Sequence, residues 1–288
     1  MFVKSIKYLI SLFISIYLFN KISREIYINF DQLQIHSNRI YLTIFILITF
    51  IPIFYFLSLK LVYLVGNLKK VKLYDAYKTT VITYTYNLFL PAKSGDFFRH
   101  KYLNLKIKFK DFFSINLVEK FISLFVLLIF VFLGYLISDL DIDKIINVNK
   151  IYINLFFIFS SFLCLILIKL LTHKNKDLRL KIIGLFCFDI LIWFLQFFQI
   201  FLIVKLLNIE ITIFETIFIF GIAIITGLIP VSIGGFGVRD YVIFFLFSNL
   251  QIDGNIFVIL LLFNFRYILP VINSFFFSIF DIYKLKRL

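Results

Sequence analysis

Charged residues are scarce in this chain, where Asp, Glu, Lys and Arg together make up 16% of 288 residues. A soluble surface needs far more, since charged residues are about 25% of a typical soluble domain. Hydrophobic residues reach 62% and the mean hydropathy is +1.01, so the sequence predicts an all-α polytopic membrane protein. The longest segment that we expect outside the bilayer has roughly 20 residues, which excludes a soluble catalytic domain and leaves any chemistry to residues in or at the membrane.

Cysteine and histidine are also rare, with two and three residues respectively. Cys164 and Cys187 both fall inside apolar runs, which argues against a disulfide framework and against a thiol nucleophile. The histidines His36, His100 and His173 lie far apart in the sequence and do not have the spacing of metal ligands. No nucleotide-binding motif occurs, so the sequence indicates no cofactor and no coupling to ATP by this chain itself.

Alanine is nearly absent, with three residues, whereas phenylalanine occurs 42 times. We interpret this contrast as a codon bias towards A and T, and the phenylalanines as lipid-facing side chains without a stacking or cofactor function. In a chain this apolar, the net charge of +14 fits Lys and Arg beside membrane helices better than it fits nucleic-acid binding. We therefore expect contact with anionic lipid headgroups and no nucleic-acid partner.

Six apolar stretches are candidates for transmembrane helices in a single integral membrane domain that covers residues 1–288. The N-terminal stretch has a basic start but lacks a small-residue cleavage site, so we interpret it as an uncleaved first helix. Two further apolar stretches, 79–92 and 211–250, do not behave as ordinary single spans. The six candidate spans are 5–19, 40–66, 112–138, 151–171, 182–207 and 256–281.

The distribution of Lys and Arg predicts the orientation of these spans. With the N-terminus inside, 20 of the 30 basic residues fall on inner segments and six fall on outer segments. The sequence thus predicts a multi-pass protein of the plasma membrane with both termini in the cytoplasm. Lys60 lies near the inner edge of an apolar stretch, and we interpret it as a side chain that snorkels to the inner face.

Two polar breaks interrupt the apolar sequence, one in each half of the chain, at residues 87–99 and 230–240. In a bilayer, non-helical backbone survives only where it is buried in protein or lines a wet cavity. The flanking charges predict a re-entrant segment 79–99 from the inner face and a hairpin 211–250 from the outer face, as in transporters built from inverted repeats. The residues that break the backbone are Pro91, Gly95, Pro230, Gly234, Gly235 and Gly237.

The first break carries an acid and a base three residues apart, Asp96 and Arg99. If a helix starts near Ser94, Ser94 caps it and both charged side chains share one face of its first turn. Gly95 would permit an unusual backbone turn. Arg99 could then hold a lipid phosphate while Asp96 orients it; the alternative is a surface salt bridge just inside the membrane.

In the second break, Arg239 and Asp240 are adjacent. On a helix their side chains would point about 100° apart, so that each needs a different partner. The alternative is a hairpin turn whose charges snorkel to water. Arg266 lies in the middle of the last span, where it needs an acidic partner or belongs to a structural ion pair. The acids available to it are Glu119, Asp189 and Asp240.

Four blocks of sequence, taken in order, resemble the transmembrane, flippase-like region of the lysylphosphatidylglycerol synthase family over roughly residues 5–282. Each block alone is a weak indicator of the family, whereas the four blocks in this order are a more specific one. The family usually has Glu where this chain has Asp96 and Asp240, and Arg where it has Lys120, which loses the bidentate geometry of a guanidinium. The blocks are 87–99 (N-x-x-L-P-x-x-x-G-D-x-x-R), Val118-Glu119-Lys120, 230–240 and 266–270.

The resemblance implies a multi-pass inner-membrane protein that handles lipids and has its two broken segments near the substrate path. The full-length synthases add a soluble aminoacyl-transfer domain, and this chain ends at Leu288 without one, so we do not expect lysyl transfer. Stand-alone members are often associated with glycolipid or envelope-polysaccharide pathways. A membrane phospholipid or a glycolipid is therefore the expected partner, and an envelope-biosynthesis enzyme is a candidate partner.

Three functional hypotheses follow. The first is a translocator, in which an anionic or headgroup-modified lipid enters a cavity between the two broken segments. The second is a polyprenyl-phosphate-dependent glycosyltransferase that would use the outer-loop acids Asp31, Asp139, Asp141 and Asp143. The third is a non-catalytic subunit that positions a partner enzyme. In the translocator, phosphate would be contacted by Arg99, Arg239 and Arg266, and these cations would be positioned by Asp96, Glu119 and Asp240.

Overall fold

The structure, a computed structural model, describes residues 40–138, 140, 150–173, 176–229, 237–252, 256–266 and 268–285. All regular secondary structure within these ranges is helical, which confirms the predicted all-α class. That residues 1–288 form a single domain stays a prediction. The predicted span 5–19 lies outside the described residues, as do the acids of the glycosyltransferase hypothesis, Asp31, Asp139, Asp141 and Asp143.

Long apolar runs form helices because, without water, a segment must satisfy its backbone hydrogen bonds internally. The α-helices in chain order are α1 (Ile40–Ile48), α2 (Phe50–Val65), α3 (Leu73–Phe89), α4 (Arg99–Tyr102), α5 (Phe109–Ile137), α6 (Lys150–Thr172), α7 (Lys176–Leu206), α8 (Ile213–Gly227), α9 (Val238–Asn249), α10 (Ile256–Phe265) and α11 (Ile268–Leu285). A 3₁₀-helix, Pro91–Phe98, lies between α3 and α4.

Five helical stretches of the described chain are long and apolar enough to cross a membrane. They coincide with five of the six predicted spans, and the chain is thus a multi-pass membrane protein. The stretches are Tyr41–Val65, Phe109–Ile137, Lys150–Thr172, Lys176–Leu206 and Val258–Phe277.

The first broken segment turns back on itself at Leu90. Helix α3 ends at Phe89 because Pro91 follows, and Leu90 takes the extended conformation that residues before proline favour (φ −103°, ψ 137°). The 3₁₀-helix then packs back along α3. The segment therefore forms a compact helical unit instead of crossing the bundle.

Both ends of this unit lie at the same end of the bundle. The Lys69 side chain, before α3, donates to the backbone carbonyl of Leu103, after α4, with 2.8 Å between the nitrogen and the oxygen. Helix α3 begins at Leu73, earlier than the apolar stretch that starts at residue 79. Its first turns carry Asp75 and Lys78, so hydropathy alone marks only the second part of the helix.

The second broken segment is a helical hairpin. Helices α8 and α9 pack against each other on either side of the connection 228–237. Phe220 and Phe247, at similar separations from this connection, have ring centroids 6.2 Å apart, as in an antiparallel pair. The start of α8 is fixed by a capping box: the Thr212 hydroxyl accepts from the Glu215 N–H, and the Glu215 carboxylate accepts from the Thr212 N–H.

Phenylalanine occupies both the core and the outer surface. Phe197, Phe220 and Phe263 are at most 1% exposed and belong to one core cluster, whereas Phe159 on α6 is 68% exposed. The interpretation of the phenylalanines as lipid-facing side chains is therefore only partly right. With so little alanine, large rings also fill the core, where each buries a large apolar area.

Candidate functional site: a charged cavity between the broken segments

A cavity of about 330 Å³ lies where the two broken segments meet the spanning helices. The first segment contributes Asn87, Asp96 and Arg99, and the second contributes Ile224 of α8 and Leu228, which directly follows that helix. Among these five lining residues only Leu228 lies outside a helix, so the broken segments reach the cavity mainly through the helices beside the breaks. The described polar residues that line it are Lys60, Thr80, Tyr84, Asn87, Asp96, Arg99, Glu119, Lys120, Ser123, Asp189, Trp193, Gln196 and Arg266.

Asp96 and Arg99 form an ion pair at the end of the 3₁₀-helix. Arg99 Nη2 lies 2.9 Å from Asp96 Oδ1. Side chains at positions i and i+3 of a 3₁₀-helix lie above one another, so the local backbone places these two on one face, as their spacing predicts. Both residues are buried, which argues against the alternative of a surface salt bridge.

Gly95 is required for close packing and not for an unusual turn, since its φ is not positive. A Cβ at this position would lie 2.7 Å from the backbone nitrogen of Asn87 and 2.8 Å from the carbonyl oxygen of Thr83, both on α3. The predicted cap at Ser94 is wrong, because the 3₁₀-helix already begins at Pro91 and contains Ser94. Hydropathy does not indicate that this segment forms a 3₁₀-helix, which is wound more tightly than an α-helix.

Asp96 has three polar partners. Its Oδ1 accepts from Asn87 Nδ2 at 3.0 Å, and its Oδ2 lies 2.7 Å from Lys120 Nζ. Arg99, its third partner, reaches on to Glu119, with 2.8 Å between Nη1 and Oε2. Burial by itself would raise the pKa of Asp96, but Arg99 and Lys120 outweigh it and hold that pKa well below its usual range. The carboxylate therefore stays charged inside the protein.

Lys60 extends this series of ion pairs to α7. The prediction that its side chain snorkels to the inner face is wrong. Lys60 Nζ lies 3.2 Å from Glu119 Oε1 and 2.8 Å from Asp189 Oδ1, and the residue is only 3% exposed. A buried ammonium requires such carboxylates. Sequence reasoning missed this contact because Asp189 lies 129 residues further along the chain.

These contacts form one alternating series, here named the charge chain. It joins α2, the first broken segment, α5 and α7, and its three cations formally balance its three carboxylates. Lys120 has the most exposed side chain of the series, at 28%. The members in order are Lys120, Asp96, Arg99, Glu119, Lys60 and Asp189.

Helix α7 supplies a polar and aromatic wall. Asp189, Trp193 and Gln196 all line the cavity, as their i, i+4, i+7 spacing allows. Trp193 Nε1 donates to the backbone carbonyl of Ser123 at 3.0 Å and lies 3.2 Å from the Ser123 hydroxyl. The indole ring is thus fixed against α5.

The charged pair of the second break forms a separate cluster. Arg239 Nη2 lies 3.2 Å from Asp240 Oδ1, so the prediction that these neighbours do not pair is wrong. Asp240 folds back over the first turn of α9 to accept from the Gly237 N–H at 3.2 Å, and the long arginine side chain follows it. Asn264 bridges the pair, accepting from Arg239 and donating to Asp240.

The backbone of the second break is described only at its end. Gly237 has a φ of 87°, the left-handed conformation that glycine adopts without strain. Arg239 and Asp240 are 3% and 7% exposed, which argues against charges that snorkel to water. The remaining predicted break residues, Pro230, Gly234 and Gly235, lie outside the described ranges.

Arg266 connects this cluster to the cavity. Its guanidinium carbon lies 4.2 Å from the ring centroid of Phe263, and that of Arg239 lies 4.6 Å from the same centroid. Arg266 lines the cavity, whereas Arg239 and Asp240 are not among the described lining residues. The cavity therefore brings together four of the six predicted site residues, Asp96, Arg99, Glu119 and Arg266.

Comparison with known proteins supports the resemblance noted in the sequence. Residues 5–274 match the family model described as the lysylphosphatidylglycerol synthase TM region. This match includes every member of the charge chain and the Arg239 cluster. A comparison with curated proteins finds no match. The family description supports a lipid-related role in the membrane.

Proposed function

The chain belongs to the lysylphosphatidylglycerol synthase TM region family, and from this premise we propose that it is a flippase-like translocator of an anionic or headgroup-modified lipid. The observation that carries the proposal is the cavity to which both broken segments contribute. A headgroup can cross the apolar core of a bilayer only if its polar groups find partners after leaving water. The charge chain and Arg266 offer such partners in one place.

The size and lining of the cavity suit a lipid headgroup. At about 330 Å³ it lies near the lower end of small-molecule sites, which span about 300–1,000 Å³. It would hold a headgroup while the acyl chains stay in the bilayer. Thr80, Tyr84 and Trp193 add hydroxyl and aromatic groups to the charged lining. These groups suit a phospholipid and a glycolipid alike.

Binding would proceed by exchange of ion-pair partners. A phosphate that approaches Arg99 competes with Asp96 and Glu119 for the same N–H donors. The carboxylate that it displaces still has a neighbouring cation, such as Lys120 beside Asp96. The displaced carboxylate thus keeps a cation beside it, while the charge of the entering anion itself requires a cation outside the charge chain. Arg266, which lines the same cavity, would contact the phosphate and supply that charge.

Arg239 and Asp240 would act through Arg266. Asp240 and Asn264 hold the Arg239 guanidinium, and both Arg239 and Arg266 lie against the ring of Phe263. In this arrangement Arg239 positions the aromatic platform, and Arg266 is the side chain that reaches the cavity. We assign Arg239 and Asp240 as positioning residues of the proposed lipid site.

The proposed setting is the plasma membrane, with both termini in the cytoplasm. Segment 79–99 would enter from the cytoplasmic face and hairpin 211–250 from the outer face. The contact between Lys69 and Leu103 supports a first segment that returns to the side from which it starts. With one broken segment from each side, a midplane site could open to either leaflet in turn. An envelope-biosynthesis enzyme would supply or use the lipid.

The test is transbilayer movement of fluorescent phosphatidylglycerol in liposomes that contain the full chain, followed with a membrane-impermeant quencher. Arg99→Gln should slow this movement by roughly tenfold or more, because it removes charge-assisted hydrogen bonds to the phosphate. Lys101→Gln is the matched control: it loses the same charge from an exposed position on the same short helix.

The outcome of this experiment distinguishes the translocator from the non-catalytic subunit. Movement at the control rate in folded Arg99→Gln would contradict the translocator and favour the non-catalytic subunit. If Arg99→Gln does not fold, Arg266→Gln serves instead, because Arg266 lines the cavity but is not a member of the charge chain. Unchanged movement in folded Arg266→Gln would contradict the proposal equally.

A further inference from the structure

A second open cavity, of about 340 Å³, lies between the start of α3 and the end of α4. We propose that this cavity, here named the basic groove, binds the phosphate of an anionic lipid headgroup. The further step, in which the headgroup passes from the groove to the central cavity, rests on the proposed function. The polar residues that line the basic groove within the described chain are Lys69, Lys70, Asp75, Lys78, Thr79, Tyr102 and Asn104.

The charge of the groove selects anions. Three lysines and one aspartate are among the described residues that line it, which gives a formal excess of two positive charges. Lys69 and Lys70 come from the loop before α3, and Lys78 comes from α3 itself, so two elements converge on one concave surface. Clustered cations on a concave surface raise the local concentration of anions, and basic groups beside a membrane attract anionic headgroups.

The groove has an ordered wall. The Lys69 side chain donates to the Leu103 carbonyl at 2.8 Å, which ties the loop before α3 to the end of α4. Asn104 takes the left-handed conformation (φ 47°), and its N–H donates to the Lys101 carbonyl at 3.1 Å. A left-handed residue after a helix satisfies the last carbonyls and ends the helix sharply. The lining is therefore largely preformed.

The basic groove and the central cavity share two elements. On α3, Thr79 lines the groove and Thr80 lines the cavity. On α4, Tyr102 lines the groove and Arg99 lines the cavity. Three residues of an α-helix cover about 4.5 Å along its axis. A phosphate that leaves the groove along α4 would therefore meet Arg99 after one helical turn.

Exposed aromatic rings beside the groove favour a lipid over free phosphate. Tyr102, Tyr86 and Phe98 are 41%, 37% and 44% exposed. The hydroxyls of Tyr86 and Tyr102 lie 2.8 Å apart, and the ring centroids of Tyr86 and Phe98 lie 5.4 Å apart. Tyrosine rings are typical of the membrane–water interface. These exposed rings can accommodate acyl chains next to a headgroup, whereas inorganic phosphate has no apolar part that would contact them.

Native mass spectrometry of the full chain tests the groove. The protein in neutral detergent is titrated with dioleoyl phosphatidylglycerol or dioleoyl phosphatidylcholine, and the retained lipid is counted. Lys70→Gln/Lys78→Gln should weaken phosphatidylglycerol retention by roughly tenfold and leave phosphatidylcholine retention unchanged. The control, Lys72→Gln/Lys101→Gln, removes the same number of charges at the same end of the bundle, from exposed lysines that do not line the groove.

Selective loss in the Lys70→Gln/Lys78→Gln variant supports the proposal. Equal loss in both double variants would show a general charge effect and overturn it, as would full retention in both. Competition with inorganic phosphate tests whether the groove binds a lipid or free phosphate. If millimolar phosphate displaces phosphatidylglycerol from the wild type as effectively as added phosphatidylglycerol does, the groove is a free-phosphate site and the lipid assignment is wrong.

Transbilayer movement in the same variants separates this inference from the proposed function. If Lys70→Gln/Lys78→Gln retains lipid normally while Arg99→Gln stops movement, the groove assignment is wrong and the translocator stands. If Lys70→Gln/Lys78→Gln loses lipid while Arg99→Gln and Arg266→Gln move it at the wild-type rate, the groove binds lipid and the translocator is wrong.

Discussion

Lys60 Nζ lies 2.8 Å from Asp189 Oδ1, in a contact that joins two membrane-spanning helices, α2 and α7. The same ammonium lies 3.2 Å from Glu119 Oε1 on α5, so one side chain links three spanning helices. Buried ion pairs contribute little net stability, because desolvation opposes the attraction, but they destabilise strongly when only one partner is removed. We interpret the charge chain as the feature that fixes these helices around the cavity.

Removing Lys60 alone should therefore be costly. Lys60→Met leaves Glu119 and Asp189 buried without their shared cation, and we expect the free energy of unfolding to fall by roughly 3–5 kcal/mol. The double variant Lys60→Met/Asp189→Leu removes one of these carboxylates as well and should recover most of the loss. Thermal unfolding of the purified protein in detergent measures both. A double variant no more stable than the single one would show that the pairing does not hold.

Alanine at Gly95 should disrupt the first broken segment. The added Cβ would lie within 2.8 Å of backbone atoms of Thr83 and Asn87, which cannot move without shifting α3. We expect Gly95→Ala to lower the free energy of unfolding by roughly 1–3 kcal/mol and to slow lipid movement by displacing Asp96. Ser94→Ala is the control, and because Ser94 is not a cap, it should change stability by less than about 0.5 kcal/mol. Equal stability of the two variants would contradict the close packing of Gly95.

The two arginines beside Phe263 should respond differently to the same substitution. Arg239→Gln leaves the buried Asp240 carboxylate without the cation that pairs with it and should lower the free energy of unfolding by roughly 3 kcal/mol. Arg266→Gln removes a cation that lines the cavity and lies over the Phe263 ring, and it should slow lipid movement. Unfolding midpoints and movement rates measured together distinguish the two roles. If Arg239→Gln keeps full stability yet stops movement, Arg239 contacts the lipid itself.

The pair of Asp96 and Arg99 was predictable from the sequence because both residues lie on one local segment. Their separation of three residues places them on one face in either kind of helix. The backbone conformation was less accessible: Pro91 starts a 3₁₀-helix where the sequence suggested a cap at Ser94. Hydropathy and capping patterns do not distinguish a 3₁₀-helix that begins at Pro91 from a helix capped at Ser94. The conformation depends instead on how closely Gly95 packs on α3.

The pairing of Arg239 with Asp240 shows where a rigid-helix argument fails. The angle between successive residues holds for Cβ directions, but Asp240 bends back to cap Gly237 at the helix start, and Arg239 is long enough to reach it. The partner that completes the cluster, Asn264, lies on α10. Such contacts depend on the docking of two helices and leave no spacing signal in the sequence.

The sequence by itself determined the helical membrane class, five of the spans within the described chain, and the positions of the two breaks. These follow from local hydropathy and from the backbone chemistry of proline and glycine, which act within a few residues. Only the tertiary structure decided that Lys60 meets Asp189, that both broken segments border one cavity, and that Arg266 lines it while Arg239 does not. Those relations depend on which helices pack together, since a buried charge is stabilised by whatever partner the fold brings within a few ångströms, regardless of its distance along the chain.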